Sequence, residues 1–168
     1  MKRIILTRHS KTEVITDEIS DIDRELKPRG YKDAELISKE LKQNGFIPDI
    51  IITSHAIRAV QTAEEMAKEF NIKNSDILKK SFIYTGYTTS EFLNFVNQID
   101  NSNSTILVIG HNPDIAMVGM NLANDNFFHF PTTASAVISF AVNQWSQITA
   151  RSGKTELFLS PRVLKDEG

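Results

Sequence analysis

Residues 4 to 7 form a β-branched and aliphatic run that ends abruptly in charge, which predicts a buried parallel strand feeding a functional loop. From Pro28 to Asn44 the apolar positions Tyr31, Ala34, Ile37 and Leu41 recur at helical spacing, with Pro28 near the start and Gly45 as a stop. The unit then repeats. Asp49 to Thr53 reads as a second strand, followed by a helix from about Ala56 to Phe70 with Ala59, Ala63, Met66, Ala67 and Phe70 on one side. A third strand, Thr105 to Ile109, runs into Gly110, His111, Asn112 and Pro113, and Pro113 suits the first turn of the next helix. Between Ser90 and Gln98 lies a further helix, with Phe92, Phe95, Val96 and Ile99 inward and Thr88 to Glu91 as a capping box. Ala134 to Val142 predicts another strand, and Glu156 to Leu159 a short final one. Strands alternating with helices imply right-handed crossovers and a largely parallel sheet covered on both faces.

Length and charge narrow the function. A chain of 168 residues is about one domain and buries a real core without disulfides or metals. The net charge of −2, from 19 basic and 21 acidic residues, favours neither nucleic acid nor an anionic membrane, so any anion is bound locally. There is no cysteine, which excludes a thiolate nucleophile and Cys-based zinc sites. The N-terminal apolar run is too short for a signal peptide, and no run approaches the roughly 18 residues of a membrane helix, so a cytoplasmic location is expected. The Asp-rich stretch from Thr16 to Lys27 reads as a solvated surface loop rather than a metal site.

In open α/β sheets the ligand crevice lies beyond the carboxyl ends of the strands. Three predicted strands end there in phosphate-competent residues: Arg8, His9 and Ser10; Ser54, His55 and then Arg58; and His111 with Asn112. A phosphoryl group in transfer spreads negative charge over its oxygens, and a guanidinium grips two of them at once, as a lysine cannot. Neutral imidazole is a competent nucleophile near pH 7 because its lone pair needs no activating base. One of His9 and His111 would attack, while the other donates a hydrogen bond to the phosphoryl oxygens. Taken singly, each residue has a plainer use: His9 as a satisfied loop residue, Arg58 as a solvated helix residue, His111 as a helix cap. His55 and His129 carry no such constellation and read as a loop residue and a boundary residue near Pro131. The joint pattern is what points to chemistry.

These residues resemble the histidine phosphatase superfamily, and within it the short SixA-type phosphohistidine phosphatases. Leu6 to Thr12 is similar to the opening Arg-His motif, and Asp23 to Leu26 with Arg29 and Gly30 to the stretch leading into the first helix. Pro48, Asp49, Ser54, Arg58, Ala59 and Gln61 to Glu64 resemble the second motif, and Val108 to Pro113 the third. Pro131, Thr132 and Ala134, and the tail with Trp145, Gly153, Leu157 and Pro161, extend the likeness over nearly the whole chain.

The resemblance implies one histidine phosphatase domain over residues 1–168, with a phosphoglycerate-mutase-like α/β fold. That fold is a three-layer sandwich whose mostly parallel central sheet has one antiparallel edge strand and helices on both faces. His9 would be the nucleophile, Arg8, Arg58 and His111 would form the phosphate pocket, Asn112 would add a backbone N–H contact, and Ser10 would line the rim. No cofactor or metal is implied. Many phosphomonoesterase relatives carry a carboxylic acid after the second helix, where it protonates a departing alkoxide. The stretch from Leu78 to Ser90 has none, and Glu91 is the nearest candidate. An alkoxide leaves badly without a proton, whereas a phosphohistidine imidazole leaves as a neutral group once its ring is protonated. The expected substrate is therefore a phosphorylated protein, such as a phosphotransfer domain or carrier. The alternatives are a small phosphorylated metabolite, with Glu91 or Asp21 as the acid, and a non-catalytic phosphate-binding module.

Overall fold

The apolar N-terminal run becomes β1 (Lys2–Arg8), and Pro28, whose fixed φ suits a first helical turn, opens α1 (Pro28–Gln43). This computed structural model describes residues 1–127 and 129–167. The alternation continues through β2 (Ile50–Thr53), α2 (Ile57–Phe70), β3 (Leu78–Lys79), α3 (Phe82–Thr85) and α4 (Thr89–Val96). It closes with β4 (Thr105–Gly110), α5 (Asp114–Ala123), β5 (Ser135–Phe140), β6 (Lys154–Leu159) and α6 (Pro161–Glu167). The expected elements recur with ends displaced by a few residues, and Pro113 stands just ahead of α5 rather than inside its first turn. The pattern did not predict β3, α3 and α6, because two to seven residues are too few to display a period.

The six strands form one sheet in the order β3-β2-β4-β1-β5-β6. β1, β2, β3 and β4 run parallel, β5 runs antiparallel to β1, and β6 pairs antiparallel outside it. The mostly parallel sheet with antiparallel pairing toward one edge is the architecture the sequence implied. Successive strand residues point to opposite faces, so each strand feeds two cores. Ile4, Leu6, Ile106 and Val108 pack with α4 and α5 on one face, whereas Ile5, Ile51, Leu107 and Ile109 pack with α1 and α2 on the other. Among the described residues no helix is long and apolar enough to cross a membrane.

Two details aim the loops. The N-terminal turn of α1 approaches the segment after β1 so closely that a Cβ on Gly30 would lie 2.4 Å from the Lys11 carbonyl oxygen, so only glycine fits. The loop from Lys11 to Lys27 is folded back on itself by the pairing of Thr12 with Leu26 and by the bond from Lys27 N–H to the Lys11 carbonyl. Gln61 on α2 pins its return limb through the Leu26 N–H and the Glu25 carboxylate.

Candidate active site

Strand register brings the chemistry together. Arg8 pairs with Gly110, so His9 and His111 each stand one residue beyond the paired ends of adjacent strands, and the His9 N–H donates to the Gly110 carbonyl. Their ring centroids are 5.1 Å apart. Thr53 pairs with Ile109 and the Ser54 N–H donates to the Ile109 carbonyl, which sets Ser54 beside His111 with its Oγ 2.8 Å from Nε2. Arg58, in the first turn of α2, is almost fully buried. The Arg58 guanidinium stands 5.9 Å from the Tyr84 ring, which itself meets His111 at 5.6 Å, so Arg58 lies in the same corner of the sheet as His111, His9 and the neighbouring Arg8.

The hydrogen bonds assign the protons. His9 Nδ1 lies 2.8 Å from the Ser10 carbonyl, a pure acceptor, so Nδ1 carries the hydrogen and Nε2 keeps a free lone pair. The Ser54 hydroxyl accepts from the Ala56 N–H and also meets His111 Nε2, while His111 Nδ1 has no partner among the described residues. Burial pushes the His9 ring down to about 3, helped by the positive fields of His111, Arg58 and Arg8 and opposed by the bond to Ser10. Burial, and then Arg58, lowers His111 to about 4. Both imidazoles are neutral at pH 7.

Positions two and more steps from the motif hold this arrangement. The Phe130 carbonyl accepts from Arg8 Nη1 at 3.2 Å and from Asn112 Nδ2 at 2.8 Å, clamping the two strand ends. Thr133, buried and left-handed at φ 66°, donates its N–H to the Arg8 and His9 carbonyls. A β-branched residue is strained in that region and stays there only because its surroundings hold it. The expectation that Ser10 lines the pocket rim differs from the structure. Ser10 is fully buried, its Oγ bonded to Thr133 Oγ1 at 2.7 Å and its N–H donated to Thr62 Oγ1, so it braces His9 from beneath. Asn112 is exposed at the mouth.

Three further residues surround Arg58. Asp21 accepts from Arg58 Nη1 through its carbonyl at 2.6 Å and from Nη2 through Oδ2 at 3.1 Å. The Tyr84 hydroxyl donates to the same Oδ2 at 2.8 Å, and Arg24 Nε stands 3.2 Å from Oδ1. The Tyr84 ring meets His111 edge-on at 5.6 Å. Partial burial alone would raise the Asp21 carboxyl, but the Tyr84 hydroxyl and the Arg58 and Arg24 charges hold it below its ordinary value. Glu91 is exposed and caps α4, its carboxylate accepting from the Thr88 N–H and hydroxyl. His55 is exposed and meets the edge of Tyr84. Tyr84 and Phe130 carried no motif that could have marked them. No group of three or more His, Asp or Glu residues arranged to hold a metal occurs among the described residues.

Residues 4–79 match the sequence model of the histidine phosphatase superfamily (branch 1). An uncharacterized protein of Mycobacterium leprae is 25% identical over 167 residues, covering 92% of this chain and 99% of that one. A solved chain assigned to phosphohistidine phosphatase SixA of Nakamurella multipartitia superposes with a TM-score of 0.80 at 24% identity, over 95% of this chain and 96% of that one. The protein histidine phosphatase SixA complexed with tungstate gives 0.74 at 21%, over 96% and 99%. A phosphoserine phosphatase of Entamoeba histolytica in complex with 3-phosphoglyceric acid gives 0.65 at 17%, over 95% and 98%. These structural likenesses establish a common fold.

Proposed function

From the match of residues 4–79 to the histidine phosphatase superfamily, we propose that the chain is a member of it and a metal-independent phosphohistidine phosphatase, acting in the cytoplasm on a phosphorylated protein through a phospho-His9 intermediate. One observation carries the reading: the Nδ1–H of His9 is spent on the Ser10 carbonyl, so Nε2 holds an unprotonated lone pair beside His111 and within the field of Arg8 and Arg58.

Nε2 attacks phosphorus, the N–P bond to His9 forms, and the bond to the leaving group breaks. Arg8 and Arg58 meet the charge on the equatorial oxygens, and His111 donates to one of them. The phosphorylated ring becomes cationic, and the Ser10 carbonyl stabilises the Nδ1–H that it shares. Water then attacks phosphorus, the Nε2–P bond breaks, phosphate leaves, and neutral His9 is restored.

The leaving group decides the substrate class. Glu91 is committed to its helix cap, and Asp21 is held ionised by its donors, so neither carboxyl is poised to protonate an alkoxide. A protonated phosphohistidine ring needs no such acid. The second reading, a phosphomonoesterase of small metabolites, has Asp21 in its favour, since that carboxylate stands on Arg58. Phosphate release from a phosphorylated histidine protein and from a panel of alkyl phosphates, each with chelator present, separates the two. The first reading expects release from the phosphohistidine with little from the alkyl esters, and labelled phosphate trapped on His9. Full turnover by His9→Ala defeats both.

A further inference from the structure

The Arg58 guanidinium is already occupied by an anion of the chain's own. Its Nη1 and Nη2 both donate to Asp21, one to the carbonyl and one to the carboxylate. The carboxylate is in turn gripped by the Tyr84 hydroxyl and by Arg24. Arg58 is buried, with 7% of its side chain accessible, whereas Asp21 is 43% accessible. The anion therefore comes from the solvent side onto a cation fixed in the floor. Asp21 belongs to a three-residue 3-10 turn in the loop between β1 and α1, held from outside by side chains and by the pinned limb at Leu26.

A phosphoryl group needs the same fork. Two oxygens gripped in parallel by one guanidinium are the reason an arginine suits this position, and Asp21 supplies such a pair from one carboxylate oxygen and its own carbonyl. Nη2 carries a second N–H and Nε has no partner among the described residues, so a phosphoryl group reaches the guanidinium beside the carboxylate, and the two anions repel.

We propose that Asp21 is an internal competitor for the phosphoryl group: its carboxylate holds the Arg58 guanidinium in the free protein, and its charge opposes the binding of substrate or phosphate there. The same repulsion speeds the release of phosphate after hydrolysis. The inference rests on reading Arg58 as a ligand of the phosphoryl group.

Titration calorimetry with inorganic phosphate, on the full chain at pH 7.5, tests it. Asp21→Asn keeps the size of the side chain and removes the charge, and is expected to bind phosphate about three- to tenfold more tightly than the parent, the change that a half-exposed, charge-assisted contact carries. Tyr84→Phe removes one bond to the carboxylate without altering any charge, and is expected to tighten phosphate by about twofold. If Asp21 instead orients Arg58, both variants bind phosphate more weakly; that result, or unchanged affinity in Asp21→Asn, overturns the proposal and leaves the pocket intact. Absence of binding to parent and Asp21→Asn alike defeats the pocket itself.

Discussion

Lowering the pH from 7 to 5 tests the proton assignment on which catalysis depends. An ordinary histidine with pKa 6.5 is only about 3% neutral at pH 5. His9, pushed down to about 3, stays about 99% neutral there, so its Nε2 lone pair survives acidification. Long-range proton–nitrogen NMR of the imidazole resonances, assigned with His9→Asn, is expected to show one Nδ1–H tautomer through that interval. Stability responds with a definite sign. Between about 3 and 6.5 the unfolded chain binds a proton at this residue that the folded chain does not, so stability is full above pH 6.5 and falls as the pH drops. The loss from His9 is about 1.4 kcal/mol per pH unit and accumulates to at most about 5 kcal/mol, comparable with the whole stability of a small domain. His111, lowered to about 4, adds to the same slope. Urea denaturation between pH 4.5 and 7.5 measures it, and His9→Asn is expected to remove about one proton from the dependence. An imidazole midpoint near 6.5, or a slope indifferent to the substitution, refutes the reasoning.

Arg58→Lys keeps the charge and loses the planar fork, so phosphatase kcat/KM is expected to fall by about a hundredfold while the circular dichroism spectrum is unchanged. Gly30→Ala drives a Cβ against the Lys11 carbonyl, and the backbone shift needed to relieve it is expected to lower the unfolding free energy by about 2 kcal/mol in urea.

Most of the architecture was legible because it is written in local terms. Strands buried on both faces need continuous apolar runs, helices need a 3.6-residue stripe, and a polar break at a strand's carboxyl end marks the crevice whatever the strand order. Arg8, His9, Arg58 and His111 each stand at or just beyond such a break, so their convergence followed once the strands were parallel neighbours. Length, charge and the absence of cysteine narrowed the chemistry in the same way.

What surrounds those four residues was decided only by tertiary structure. Asp21 meets Arg58 across 37 positions, Thr133 meets Ser10 across 123 and Phe130 meets Arg8 across 122. Ser10 sits two residues past a strand end, where exposure and burial are equally compatible with the sequence, and only the docking of Thr62 and Thr133 turned it inward. Periodicity reports which face of an element is apolar. It carries no information about which loop folds over which strand end, because that follows from the packed position of every element and from hydrogen bonds whose partners lie far apart along the chain.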